Sequence, residues 1–252
     1  MRPEASLIGA SILKQNLSRK QAVVYMPAAW RLSLFAILLC CLAFNAMATK
    51  NESLLDAWLA RQVAVKAWTA DVIQTRKIKA LVHPLETKGQ VWFLQPNQFR
   101  WQLGTPPRTI AVRTQQELVV VYPQLNQIER YPFDAITDPA MQQALALLEV
   151  GFPTDPKQFH ARYELLSVNT TAEVLRFELQ PRDEQARRLL ARVRLDVSVG
   201  DLILMATELA FPDGSTMRNA FSHHALDVDI DASLFHVDVE GYQVVEPLQQ
   251  RD

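Results

Sequence analysis

Apolar residues at every second position, in short runs broken by turn residues, constrain this chain more than any other feature. Residues 91–103 read VWFLQPNQFRWQL, and within them Phe99, Trp101 and Leu103 alternate with Arg100 and Gln102. Period two marks a strand with one apolar face and one wet face. The same rhythm begins near Thr69, resumes after a turn at His83-Pro84, and continues through Thr109–Arg113, Glu117–Tyr122 and Gln127–Tyr131. It returns in Tyr163–Val168, Glu173–Gln180, Ala191–Ser198, Leu202–Phe211 and Ser215–Ser222, the last two joined by the turn signal Pro212-Asp213-Gly214-Ser215. Short strands separated by polar or proline-containing turns predict an antiparallel meander.

Two segments carry helical spacing instead. Leu54, Leu55, Trp58, Leu59 and Val63 fall on one helical face behind a cap at Asn51 or Ser53. Met141, Ala144, Leu145 and Leu148 form a second stripe, with Asp138 as N-cap, Pro139 in the first turn, and Gly151 and Pro153 ending it. Asp183–Leu190 reads either as a short helix or as a long polar hairpin tip. The expected fold is mainly β with α: a strongly curved antiparallel sheet, a half-open barrel, with helices covering its concave apolar face. The aromatic alternation at 91–103 suits an ordinary core, and it also suits the wall of a concave apolar ligand site.

The N-terminal part reads as a targeting segment. Leu32–Phe44 is an apolar run preceded by Arg31 and followed by Asn45-Ala46-Met47-Ala48. A basic flank, a short apolar stretch and an Ala-x-Ala ending predict a signal peptide over 1–48, cleaved after Ala48, with 1–25 an extension upstream of a start at Met26. An uncleaved anchor is the alternative, although the run falls short of the roughly 20 residues that span a bilayer. The only cysteines, Cys40 and Cys41, lie inside it, so residues 49–252, expected as a single domain, must be stable without a disulfide. Losing 1–48 takes the charged groups from 26 basic and 27 acidic to 21 and 26, a net of −5. No basic tract offers to replace the counterions of a nucleic acid, and no nucleic-acid binding is expected.

Motifs of catalysis are missing. No GxSxG, HExxH or phosphate-binding glycine loop occurs, and no enzyme activity, catalytic residue, cofactor or metal is expected. His223 and His224 would point to opposite faces of a strand. Asp227, Asp229 and Asp231 begin like a calcium loop, but Ala232 and Asp238 stand where the turn glycine and bidentate glutamate belong, so a solvated strand face is the reading. Arg187, Arg188, Arg192 and Arg194 form a local basic cluster, read as wet surface or as a contact for a lipid headgroup or an acidic partner.

An ordered set of residues resembles the periplasmic outer-membrane lipoprotein carrier family, LolA. It comprises Gln74-Thr75-Arg76, Gly89-Gln90-Val91-Trp92-Phe93, Pro96-Asn97-Gln98-Phe99-Arg100-Trp101, Pro106-Pro107-Arg108-Thr109-Ile110 and Val120-Val121-Tyr122-Pro123-Gln124. The hairpin Pro-Asp-Gly-Ser before Phe221, and Ala232-Ser233-Leu234-Phe235 before Val245-Glu246-Pro247, extend the likeness over nearly all of 49–248. The resemblance implies a periplasmic monomer that shields the acyl chains of lipoproteins in an apolar cavity under a helical lid. It implies loading from an inner-membrane ABC lipoprotein-release complex and delivery to an outer-membrane lipoprotein receptor. Trp92, Phe99 and Trp101 are then cavity residues, joined by Leu103, Ile110 and Val121, with Met141, Leu145 and Leu148 on the lid. Phe99 also implies contact with the release complex. Gln95 stands where members of the family carry an arginine whose hydrogen bonds to lid-region carbonyls hold the closed form. An amide donates fewer hydrogen bonds and carries no charge.

Two other readings stay open: a lipid-binding sensor of the same architecture, or a carrier of another lipid-linked cargo. A sensor is expected to carry a further interaction domain, for which no length follows Pro247. On the sequence, Phe99→Glu is expected to abolish loading and leave folding intact, as measured by lipoprotein extraction from membranes beside a thermal melt.

Overall fold

The structure, a computed structural model, describes residues 50–136, Leu145 and residues 150–247. In chain order its strands are β1 (Ala67–Lys77), β2 (Leu85–Leu94), β3 (Gln98–Leu103), β4 (Thr109–Arg113), β5 (Glu117–Tyr122) and β6 (Gln127–Pro132). After an interval come β7 (Tyr163–Thr170), β8 (Val174–Pro181), β9 (Arg192–Ser198), β10 (Leu204–Ala210), β11 (Thr216–Leu226) and β12 (Gln243–Val245). They form one sheet in the order β12-β6-β5-β4-β3-β2-β1-β11-β10-β9-β8-β7. The pairings are antiparallel except that of β12 with β6, which is parallel. The two end strands do not pair with each other, so the barrel is half open.

The join between the two runs of strands is the ladder of β1 with β11, from Trp68 opposite Leu226 to Lys77 opposite Thr216. A register shift at Ala70 interrupts it, the kind of irregularity that sharpens local twist. The curvature is large. Ala111 of β4 and Tyr122 of β5 line the same cavity as Thr207 and Leu209 of β10. In a flat sheet β5 and β10, six strand spacings apart, would be separated by about 29 Å.

Residues 50–64 form the first helix, α1, which buries Leu55, Trp58 and Leu59 completely against the concave face. The indole of Trp58 lies 6.1 Å from the ring of Phe177 on β8 and edge-on to Phe159 at 5.9 Å. The expected caps fall inside the helix: it already includes Lys50, and the Ser53 hydroxyl donates to the Lys50 carbonyl. Val63 is 37% exposed and lies at the edge of the buried stripe. Of the second stripe, Asp138, Pro139, Met141, Ala144 and Leu148 lie outside the described residues, while Leu145 is helical and packs on the core.

Two short helices follow. α2 (Pro156–Arg162) starts at Asp155, whose carboxylate accepts from the N–H groups of Lys157 and Gln158, with Pro156 in the first turn. α3 (Glu184–Leu189) is capped by Asp183 and decides the 183–190 segment in favour of a helix. The strand expected from Thr69 stops at Lys77.

The outer face is covered in two ways. On β8–β11, Asp196 is buried between Arg176, at 2.7 Å, and Arg218, at 2.8 Å, while Glu178 accepts from Arg192 and Glu208 from Arg194. Burial alone would raise the Asp196 pKa, but hydrogen bonds and charge from the two arginines outweigh it and hold the carboxyl below its ordinary value. The expected basic cluster is therefore largely engaged. Arg187 donates to the carbonyls of Pro181 and Arg182, and Arg188 pairs with Glu184. Behind β2–β6 the chain itself is the cover. Ile230, Phe235 and Val237, beyond β11, pack on Trp92, Ile110, Val112, Val119 and Val121 before β12 joins β6.

The fully buried indole of Trp58 joins helix to sheet, yet its Nε1–H has no acceptor among the described residues. Trp58→Ala is expected to cost about 3–5 kcal/mol in denaturant unfolding. Trp58→Phe should cost clearly less, because it retains ring packing and removes an unsatisfied donor.

Candidate functional site

A cavity of about 340 Å³ lies on the concave face, at the lower end of the roughly 300–1,000 Å³ usual for small-molecule sites. One wall is β3, which turns Phe99, Trp101 and Leu103 inward, with Ala111 of β4 and Tyr122 of β5 beside it. The facing wall is Leu209 of β10 with Met217 and Asn219 of β11. Residues 150–152 close one side. Gly151 belongs there because a Cβ would come within 3.0 Å of the Thr207 side chain and 3.1 Å of Leu204.

Phe152 enters an aromatic box. Its ring stacks on Phe93 at 5.4 Å and meets Trp68 at 5.0 Å, Trp101 at 6.2 Å and Phe221 at 6.3 Å. Trp101 and Phe221 also meet edge to face at 5.8 Å. These centroid distances and tilts are those favoured by aromatic quadrupoles.

A polar rung crosses the floor. The Gln74 amide donates to Asn219 Oδ1 at 3.1 Å, and the Asn219 amide donates to Thr207 Oγ1 at 3.2 Å. Asn219 and Thr207 are 6% and 5% exposed, so both side chains are effectively sealed from bulk water. Arg76 stands on the same face of β1 two residues beyond Gln74, exposed and without a carboxylate partner among the described residues.

At the opposite side, Glu129 accepts from Tyr131 at 2.9 Å, Gln127 at 3.2 Å and Tyr122 at 3.4 Å. Burial first, then the Glu129 hydrogen bond and charge, raise the pKa of both tyrosines, which remain neutral phenols at ordinary pH.

The sequence-nominated residues divide by strand parity. Phe99, Trp101 and Leu103 line the cavity. Trp92, Ile110 and Val121 do not: successive strand residues face opposite sides, and these three pack on the outer face under the C-terminal segment. Leu145 packs against the concave core, whereas Met141 and Leu148 lie outside the described residues. Gln95 donates through Nε2 to the Val63 carbonyl of α1 at 2.7 Å. Its contact is thus with the first helix.

Phe152, Arg76 and the rung were not nominated. The available signal was polar residues in apolar register: Gln74 after Val72, and Asn219 between Met217 and Phe221. The histidines separate as expected, His223 to Asp71 and His224 to the Leu204 carbonyl. Residues 227–231 are not a strand. Asp227 accepts from the Lys66 N–H and Asp231 from that of Ser233. Among the described residues no cluster of three His, Cys, Asp or Glu is placed to hold a metal, and no helix is long and apolar enough to cross a membrane.

The family model described as outer membrane lipoprotein carrier protein LolA matches residues 64–238. No curated protein matches the sequence significantly. Among solved structures, an uncharacterised conserved protein from Thermus thermophilus is similar with a TM-score of 0.47 at 15% identity, over 76% of this chain and 98% of that one. A putative outer membrane lipoprotein-sorting protein domain from Vibrio parahaemolyticus gives 0.42 at 9%, over 75% and 97%. The MucA/MucB complex from Pseudomonas aeruginosa gives 0.43 at 15%, over 75% and 62%.

Ala111 is a small residue in the strand wall of the cavity, so Ala111→Phe should fill the space it faces. The expected result is at least a tenfold loss of affinity for an apolar fluorescent dye, on the order of the 1.4 kcal/mol that a few lost methylene contacts supply. The thermal midpoint of the empty protein should not fall.

Proposed function

This chain belongs to the outer membrane lipoprotein carrier family, LolA, and from that premise we propose that it carries lipoproteins across the periplasm with their acyl chains in the concave hollow. Transfer of each CH₂ into an apolar site is worth about 0.8 kcal/mol, so a chain of about fifteen methylenes resists bare passage through water by on the order of 12 kcal/mol. A host for such a chain must be apolar, already formed and able to open. The observation that carries the reading is the cavity itself: Phe99, Trp101 and Leu103 line one wall of it and Leu209 and Met217 the other.

The half-open sheet suits reversible loading, since one side of the hollow is bounded by residues 150–152 rather than by a continuous ladder. In this reading the donor is an inner-membrane ABC lipoprotein-release complex and the acceptor an outer-membrane lipoprotein receptor. The protein works as a monomer, exported by its N-terminal segment, and performs binding without a chemical step. The bond from Gln95 to α1 would be one of the contacts that loading loosens.

Phe99 is a poor site for the decisive test. It is 4% exposed and belongs to the packed core, so a glutamate there would bury a charge and endanger folding. Leu103 lines the same cavity and is only partly buried. Leu103→Glu is expected to keep a cooperative melt while reducing lipoprotein release from inner-membrane vesicles, and its transfer to the receptor, by at least tenfold. Normal transfer by a folded Leu103→Glu protein would remove the hollow from the mechanism.

A further inference from the structure

The hollow is chemically graded along the strands. On β11 the inward residues run Phe221, Asn219, Met217, and across the ladder on β1 they are Val72, Gln74 and Arg76. Phe221 belongs to the aromatic box. Asn219 and Gln74 belong to the polar rung, about 7 Å further on, and Arg76 lies about 7 Å beyond that, two strand residues per step.

The polar groups retain unused capacity. Gln74 and Asn219 each have one amide N–H committed within the rung, and the Asn219–Thr207 bond uses the hydroxyl oxygen as acceptor. A second N–H on each amide and the Thr207 hydroxyl proton have no acceptor among the hydrogen bonds of the described residues. Buried donors of this kind cost free energy until an oxygen meets them. A purely alkyl ligand would meet none of them.

We infer that the cavity selects acyl lipids with an anionic head, the chain toward the aromatic box and the head oxygens, carboxylate or phosphate, held between the Gln74–Asn219–Thr207 rung and Arg76. This rests on the proposal that the hollow hosts acyl chains, and it adds head selectivity. Glu129, the acid nearest Tyr122, is occupied by three donors of its own, which lessens its opposition to a second anion. A guanidinium forms paired hydrogen bonds to carboxylate or phosphate, and an exposed one costs nothing in desolvation while the site is empty.

The test is calorimetric titration of the exported chain with palmitate, lysophosphatidylglycerol, lysophosphatidylcholine and monopalmitoylglycerol, below their aggregation concentrations. Palmitate and lysophosphatidylglycerol should bind at one per protein, roughly tenfold to a hundredfold tighter than the two ligands without net charge, the range of one hydrogen bond to a charged group. The carboxylate and phosphate arms tell which anionic head is preferred. Arg76→Gln should bring the anionic ligands down to the uncharged pair and leave that pair unchanged, and Arg76→Lys should restore part of the difference. Arg76 is exposed at the rim, so these variants should melt like the parent. Equal affinity for all four ligands, or no change in Arg76→Gln, overturns head recognition while leaving an acyl host in place. Binding of none of them would overturn the acyl-host reading as well.

Discussion

The ladder between β1 and β11 holds the molecule together as one sheet. It pairs Lys77 with Thr216 and Trp68 with Leu226, residues that lie at opposite ends of the domain's sequence. Without it, β2–β6 and β7–β10 would be two separate meanders, each with an exposed apolar face. Closing so long a loop costs entropy before any contact rewards it, which makes this pairing entropically more expensive than the hairpins on either side. Once it forms, the inward side chains of both runs face one another. Twist and the shift at Ala70 then curl the sheet until β5 and β10 share a cavity.

That curl produces a hollow, and the fill is uneven. On the β7–β11 side α1 and α2 supply Trp58 and Phe159, whose rings pack against Phe177 and Tyr163. On the β1–β5 side the turn at 150–152 places Phe152 in the aromatic box, with the cavity beside it. The outer faces differ correspondingly. The densely filled half carries a ladder of arginine and carboxylate pairs, whereas the hollow half is backed by Ile230, Phe235 and Val237. The hollow therefore has a second apolar layer behind its wall, and can remain unfilled without its strands losing support.

A carrier must bind an acyl chain firmly enough to keep it from water and loosely enough to surrender it. Apolar area provides the first property in proportion to chain length. In the proposed reading a directional polar rung and a rim cation add selection. In that reading Phe152 is the chain's competitor for the aromatic box, since its own ring already occupies favourable geometry there.

The period-two runs determined the strands, their antiparallel succession and the inward set Phe99, Trp101 and Leu103, because in a one-sided sheet burial follows alternation directly. They also left α1 to stand out through the helical spacing of Leu55, Trp58 and Leu59. The short α2 carries a local signal of its own, since Asp155-Pro156 is a cap followed by a first-turn proline. Alternation does not say which side of a given strand is concave. Trp92, Ile110 and Val121 are apolar on the side that the C-terminal segment happens to cover, and only the tertiary fold shows it. The same holds for the site. Gln74, Asn219 and Thr207 become a rung, and Arg76 its neighbour, only when β1, β11 and β10 are laid side by side. Local sequence sets which residues want to be buried, while pairing between distant strands decides what they are buried against.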